Sequence, residues 1–319
     1  AIEGAKVYNK SAIILTEGLR IGGKKLFGFE DSNNYARKQL ADIEGLVDLN
    51  KGSGFVTMSE YLKNEKSDGK KRYKVSDFDR LESLNKVYGG IYTSTFLQIL
   101  APPKAGKTKF CERICHTTVV KYGNNVTVWP KEGGIDAWVA QMRAIHFDYI
   151  YNTGNSIQDR KFGIDQKVIE NDLFPNPELK ELELSSKRDL ESNPNYGSVD
   201  FIDRPFNVET FLDDIDTSVT ENGSQIVIVD YLQLIGTIRN ISERERVAEA
   251  YRNALVYCKE KNITFITPGQ YKQDFIESLM ASGNAGNTDT RTSGGGSAET
   301  IRTPDIIFTL WATTQDLLN

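Results

Sequence analysis

The segment ILAPPKAGKTKF, residues 99–110, constrains the fold of this chain more than any other. An apolar run ends at Leu100, a loop with two prolines follows, and an amphipathic run extends from Gly106 to about Val120. This order predicts a buried strand, a turn and a helix. A glycine at the turn lets successive backbone N–H groups converge, and the helix N-terminus adds partial positive charge. The segment therefore predicts a phosphate-binding loop.

The residue types of this loop suit a nucleotide. Lys107 can reach the β and γ phosphates, and the hydroxyl of Thr108 can bind Mg²⁺. Ala101 stands where the usual pattern has its first glycine, and a small residue there still allows the turn. Three residues alone leave open a chance Gly-Lys-Thr at a helix start. The predicted nucleotide-binding residues are Ala101, Pro102, Pro103, Lys104, Ala105, Gly106, Lys107, Thr108 and Lys109.

A second segment, QIVIVDYLQLIG, supplies a carboxylate at the end of an apolar run. Four consecutive apolar residues are typical of a strand buried on both faces, and Asp230 follows them. Ligands of open α/β sheets bind at the carboxyl edge, where this acid would lie. A turn-forming aspartate is the simpler interpretation of this segment alone. Together with the phosphate-binding loop, the segment predicts that Asp230 and Thr108 hold Mg²⁺.

Composition limits the class of protein. With 319 residues and 39% hydrophobic content the chain can form a globular core, and we expect a cytoplasmic protein because it has neither a secretory signal nor a run long enough to cross a membrane. The net charge of -5 excludes an overall basic surface but not a local basic site. The three cysteines predict reduced, buried thiols. A metal site at Cys111, Cys115 and His116 is the weaker alternative, since no second cluster completes it.

Strand-like and helix-like runs alternate from Phe78 onwards, which predicts an α/β fold with a twisted, mainly parallel sheet flanked by helices. A charged segment, 63–74, predicts a linker or an exposed loop, so we expect an N-terminal region at 1–75 and an ATPase domain at 76–319. The polar stretch 152–196 predicts short helix and loop. The predicted strands are 96–100, 126–129, 199–202, 226–229, 263–267 and 306–310.

From about Phe78 to Trp311, several spaced motifs resemble the RecA-like ATPase domain of hexameric replicative helicases of the DnaB type. The strand followed by Asp-Tyr-Leu-Gln-Leu at 230–234 is especially similar. The resemblance implies that Glu132, after the second core strand, polarises the attacking water. A second strand beside the loop-bearing strand would end near the γ phosphate. It also implies that Gln270, at the end of a later strand, senses the γ phosphate. Without the resemblance, Glu132 is an ordinary surface acid and Gln270 a turn residue.

The resemblance also implies partners. Two segments correspond to loops that bind single-stranded DNA in the central channel of a ring, 237–246 and the Gly/Ser/Thr-rich 281–297. A flexible linker is the alternative for the second segment, and a solvated helix start for the first. The family forms homo-oligomeric rings, usually hexamers, and a replication partner would bind through the N-terminal region.

Two departures from the family pattern are visible. The family has basic residues after its last strand that reach a neighbouring subunit's ATP, whereas ATTQDLLN follows Trp311 here. The trans-acting arginine then lies beyond Asn319, or Arg302 or Arg291 replaces it, or the subunit hydrolyses poorly alone. Residues 1–75 do not resemble the family's helical collar or a primase, which suggests a fragment or a divergent, phage-encoded or plasmid-like relative.

These observations predict a DNA helicase of replication that depends on Mg²⁺ and on ATP or another NTP, with Lys107, Glu132 and Gln270 as catalytic residues. A RecA-like ATPase that clamps or loads on DNA or a protein, in recombination, loading or signalling, is the first alternative. A non-enzymatic subunit that keeps nucleotide to hold an oligomer together is the second.

Overall fold

The computed structural model describes residues 71–79, 81–130, 133–152, 163–271 and 299–310. All of them lie in the second of the two units into which the chain divides, Lys71–Asn319. The domain boundary expected near residue 75 stays a prediction, since residues 1–70 lie outside the described part. No helix of the described ranges has the length and apolar character needed to cross a bilayer.

The described residues contain the strands β1 (Lys74–Ser76), β2 (Ile91–Tyr92), β3 (Thr95–Ala101), β4 (Val126–Pro130), β5 (Val199–Phe201), β6 (Ile226–Asp230), β7 (Thr264–Gln270) and β8 (Ile306–Thr309). Six of them form one sheet in the order β5-β4-β6-β7-β3-β8, in which every neighbouring pair is parallel. The short strands β1 and β2 pair antiparallel in a separate two-stranded sheet.

Helices connect these strands, as parallel pairing requires. Several of them end where the sequence supplies a left-handed residue, for example Gly123 with φ 62° after the helix that follows β3. The helices are α1 (Glu82–Tyr88), α2 (Lys107–Tyr122), α3 (Gly134–Asn152), α4 (Gln166–Glu170), α5 (Pro177–Ser192), α6 (Phe211–Asn222), α7 (Glu243–Lys261) and α8 (Glu299–Arg302).

Both faces of the sheet are covered, so its central strands are apolar without alternation. All seven residues of β3 are buried, and neighbouring positions face opposite cores. Phe96 packs with α6 and α7, and Leu97 packs with α2 and α3. On α7, Val247, Tyr251, Ala254 and Cys258 are buried and Leu255 is partly buried, as the periodicity of the sequence predicts.

The six predicted strands and the α/β class are confirmed, with ends that differ by at most three residues. One expectation about neighbours is wrong: β4 does not lie beside β3, because β7 and β6 separate them. The polar stretch 152–196 also contains more regular structure than expected. Within it, α5 runs for 16 residues and joins α3 through Arg143, which forms two 2.8 Å hydrogen bonds with the buried carboxylate of Glu183.

Candidate nucleotide-binding site

The loop between β3 and α2 has the backbone expected of a phosphate-binding turn. Lys104 and Gly106 have positive φ angles of 64° and 85°, and α2 begins directly afterwards at Lys107. A Cβ atom added to Gly106 would meet no atom within 4 Å, so open space lies beside the turn. Because the N-terminus of a 16-residue helix adjoins this space, the loop can bind an anion there.

The carboxyl ends of three neighbouring strands bring the predicted site residues to one edge. Ala101 of β3 is paired with Gln270 of β7, and Asp230 ends β6 on the other side of β7. Asp230 is fully buried, and Lys107 is 6% exposed. Since β3 and β6 have β7 between them, the loop and the acid lie on either side of the strand that carries Gln270.

Tyr231 contacts two predicted site residues, and the sequence analysis did not identify it. Its ring centroid lies 5.5 Å from Nζ of Lys107, within the range of a cation–π contact. Its hydroxyl accepts a long, 3.5 Å hydrogen bond from Nε2 of Gln270. The backbone N–H of Gln270 donates to Oε1 of Gln233 at 3.2 Å. The segment after Asp230 therefore contacts both the loop lysine and the Gln270 amide. The position of Tyr231 directly after Asp230 is the sequence feature that could have predicted its place in the site.

Glu112 is a second acid near Asp230 that the sequence analysis did not identify. It lies on α2, four residues after Thr108, and is 4% exposed. Burial, and then the charge of Asp230, raise the pKa of Glu112 to about 8. The same two causes raise the pKa of the Cys111 thiol. The electrostatic influence of Asp230 on both residues indicates that this face of α2 lies close to the end of β6.

Several predicted residues lie outside the described part of the chain, namely Glu132, Arg291 and the 281–297 segment. Pro130 lies two residues before Glu132 and pairs with Asp230, so the strand preceding Glu132 has β6 as one of its two neighbours. Arg302 ends α8 and is exposed.

The other predicted DNA-binding segment, 237–246, is described. Ser242 caps α7 through a capping box with Glu245, so the segment ends in a regular helix start. Arg239 forms ion pairs with Glu209 at 2.8 Å and Glu249 at 2.7 Å. Arg244 is exposed. The charge of Arg239 is thus balanced within this chain, which reduces the positive charge that the segment offers to phosphate.

The alternative of a metal site at Cys111, Cys115 and His116 is not supported by the geometry. Cys111, Cys115 and Cys258 are all buried free thiols. His116 Nε2 instead lies 3.0 Å from Nδ1 of His146. In the described ranges, no group of three or more His, Cys, Asp or Glu side chains is arranged to hold a metal ion.

The residues present fit a magnesium nucleotide. Mg²⁺ in nucleotide sites is usually held by one or two carboxylates, a hydroxyl and phosphate oxygens, with water completing its shell. Here the open space beside Gly106 would take phosphate, and Thr108 with Asp230 would hold the cation. Glu112 Oε2 is buried without a hydrogen-bond partner, which fits a site that has room for a further polar ligand.

Comparison with known proteins identifies the fold. No protein-family model matches this chain, and no curated protein matches it by sequence. Among solved structures, one described as an ATPase domain superimposes with a TM-score of 0.57 and 18% identity, covering 80% of this chain and 81% of that one. A DnaB-like replicative helicase, described with its primase interactions, gives a TM-score of 0.54 and 17% identity over 97% of this chain and 67% of that one. The chain thus has the RecA-like fold of DnaB-type helicase ATPase domains.

Proposed function

We propose that this protein is a cytoplasmic, Mg²⁺-dependent ATPase that assembles into a ring, binds single-stranded DNA through its central loops and unwinds duplex during replication. The observation that carries the proposal is the convergence of the Gly106 turn, Asp230 and Gln270 at the ends of β3, β6 and β7. The similarity to the DnaB-like helicase supports a replication partner such as a primase. A hexameric ring is the assembly that the sequence resemblance implies.

In this proposal each residue has a distinct task. The amides of 102–109 and Lys107 bind the phosphates, and Thr108 and Asp230 hold the cation. Mg²⁺, when bound, neutralises charge that develops on the phosphate oxygens. Glu132 orients and activates the attacking water. Gln270, hydrogen-bonded to Tyr231, reports the state of the γ phosphate to the segment that follows β7.

Two substitutions test the ATPase. Lys107→Ala removes the charge that faces the phosphates, so we expect nucleotide affinity to fall at least tenfold. Glu132→Gln keeps the shape of the side chain, so we expect normal binding with hydrolysis reduced by about 10²-fold or more. Equilibrium binding of a fluorescent ATP analogue and phosphate release measure the two effects. Unchanged hydrolysis in Glu132→Gln would favour the structural subunit.

Unwinding needs a separate test. Because the charge of Arg239 is balanced by ion pairs within the chain, a ring that only clamps DNA or a protein is the alternative to a helicase. The assay measures ATP hydrolysis with and without single-stranded DNA, and strand displacement on a forked duplex. Stimulation together with displacement supports a helicase. Stimulation without displacement would replace it by the clamping or loading ATPase.

A further inference from the structure

Glu112 is a buried acid with no task in the function proposed above. Its side chain is 4% exposed, and Oε2 has no hydrogen-bond partner. Burying a polar oxygen without a partner is costly, and such groups in folded proteins usually have a ligand, ion or water as partner. The position of this oxygen therefore indicates a ligand or water that would satisfy it.

The geometry of α2 indicates where the carboxyl group lies. Residues four apart share one face of a helix, so Glu112 is on the same face as Thr108. Long side chains of a helix are directed towards its N-terminus. The carboxyl group of Glu112 is therefore directed towards the turn that carries Thr108 and begins at Lys107.

The end of β6 borders the same region. Asp230 is the charged group with the largest influence on Glu112, ahead of Lys109 and Arg113 on α2. Arg113 has its own partner in Asp79, 3.1 Å away. Two buried acids next to each other repel when both are ionised, and a cation beside them removes that repulsion.

We propose that Glu112 is a second acidic side chain of the cation site, which accepts a hydrogen bond from a water molecule in the coordination shell of Mg²⁺. The inference rests on the proposed ATPase function and adds a residue to its metal site. Mg²⁺ retains several of its waters in such sites, so acids that do not touch the metal can still orient its shell. Glu112 is then a positioning residue that acts through water.

The test separates metal-dependent binding from folding. Glu112→Met replaces the carboxyl with an apolar group of similar length, and Glu112→Gln keeps one oxygen acceptor. Affinity for a fluorescent ATP analogue is measured in Mg²⁺ and in EDTA, and thermal unfolding is followed in EDTA without nucleotide. We expect Glu112→Met to weaken Mg²⁺-dependent affinity about 10- to 100-fold, Glu112→Gln to fall between it and the native protein, and neither to change affinity in EDTA.

The midpoint of thermal unfolding distinguishes a role in metal binding from a role in folding. If Glu112 stabilised the fold, its replacement would lower this midpoint. Replacing a buried acid without a partner by methionine should leave the midpoint unchanged or raise it. The exposed Glu221→Gln on α6 is the control, with native behaviour expected in every assay. Native Mg²⁺-dependent affinity in both Glu112 variants would overturn this inference but not the proposed function. Equal losses of nucleotide affinity in Mg²⁺ and in EDTA, together with a lower unfolding midpoint, would do the same. Absence of nucleotide binding by the native protein would instead overturn the proposed function.

Discussion

His116 and His146, the only two histidines of the chain, form a buried hydrogen-bonded pair that predicts a specific response to acid. His146 Nε2 lies 3.0 Å from Oδ2 of Asp189, which also accepts a hydrogen bond from the Tyr196 hydroxyl at 2.9 Å. If His146 donates to Asp189, its Nδ1 accepts the proton of His116 Nε2, so this pattern assigns one proton to each ring. Both hydrogen bonds, between the two rings and from His146 to Asp189, are therefore formed when both histidines are neutral.

The pKa of His116 is lowered from 6.5 to about 3, first by burial and then by His146 and Arg113. Burial also lowers the pKa of His146, opposed by its hydrogen bond to Asp189. A histidine whose pKa is lower in the folded state stabilises the fold fully above its unfolded pKa, and this contribution is lost as pH falls from 6.5 towards 3. Between pH 7 and 5, His116 alone should cost about 2 kcal/mol of unfolding free energy.

The pH dependence of the native protein alone does not isolate this effect. The pKa of Glu112 is raised to about 8, so this acid contributes with the opposite sign over the same pH range. The comparison is therefore between the native protein and His116→Gln, whose amide can still donate to His146. Urea unfolding at pH 7 and pH 5, followed by tryptophan fluorescence, measures both; Trp129 and Trp138 are buried reporters.

We expect His116→Gln to lose about 2 kcal/mol less than the native protein on acidification from pH 7 to 5. Parallel losses in the two proteins would show that His116 does not exclude a proton in the folded state. The imidazole chemical shift of His116 provides an independent check, since it should remain that of a neutral ring at pH 5.

Two further predictions concern buried contacts and the loop. Arg143→Met leaves the 1%-exposed carboxylate of Glu183 without its charge partner, so it should cost about 3–5 kcal/mol of unfolding free energy, and the double variant Arg143→Met/Glu183→Leu should recover most of it; urea unfolding checks both, and a double variant as unstable as the single one would contradict the argument. Gly106→Ala forces a side chain into the left-handed region at φ 85°, at a cost of about 1 kcal/mol, and places a methyl group in the open space beside the turn. Its nucleotide affinity should fall at least tenfold in the fluorescent-analogue titration, and native affinity would show that phosphate does not bind there.

Local patterns were sufficient to predict the strands and the loop. The apolar runs at 96–100 and 226–229 each consist of a few adjacent residues and can be recognised without their neighbours in space. A turn and a helix are indicated by the two prolines, Gly106 and the periodic run that follows them. Each such run is driven into the hydrophobic core whichever strands pair with it. The α/β class and the sheet strands followed from these runs, whereas the predicted roles of the site residues remain to be tested.

Neighbour relations could not be predicted in the same way. The expectation that β4 lies beside β3 was wrong because β7, which follows β4 by more than 130 residues in the chain, pairs with β3 instead. The contacts of Tyr231 with Lys107 and Gln270 depend on this order. So does the pairing of Pro130 with Asp230, which brings the strand before Glu132 next to β6.

The sequence by itself determined where the strands run and that a glycine-containing turn and a helix follow β3, because these properties depend on residues adjacent in the chain. Only the tertiary structure decided which side chains meet. The charge of Asp230 acts on Glu112, and His116 contacts His146, because strands and helices distant in sequence pack together. A buried polar group acquires its energy from those distant neighbours, so its chemistry becomes visible only in the folded protein.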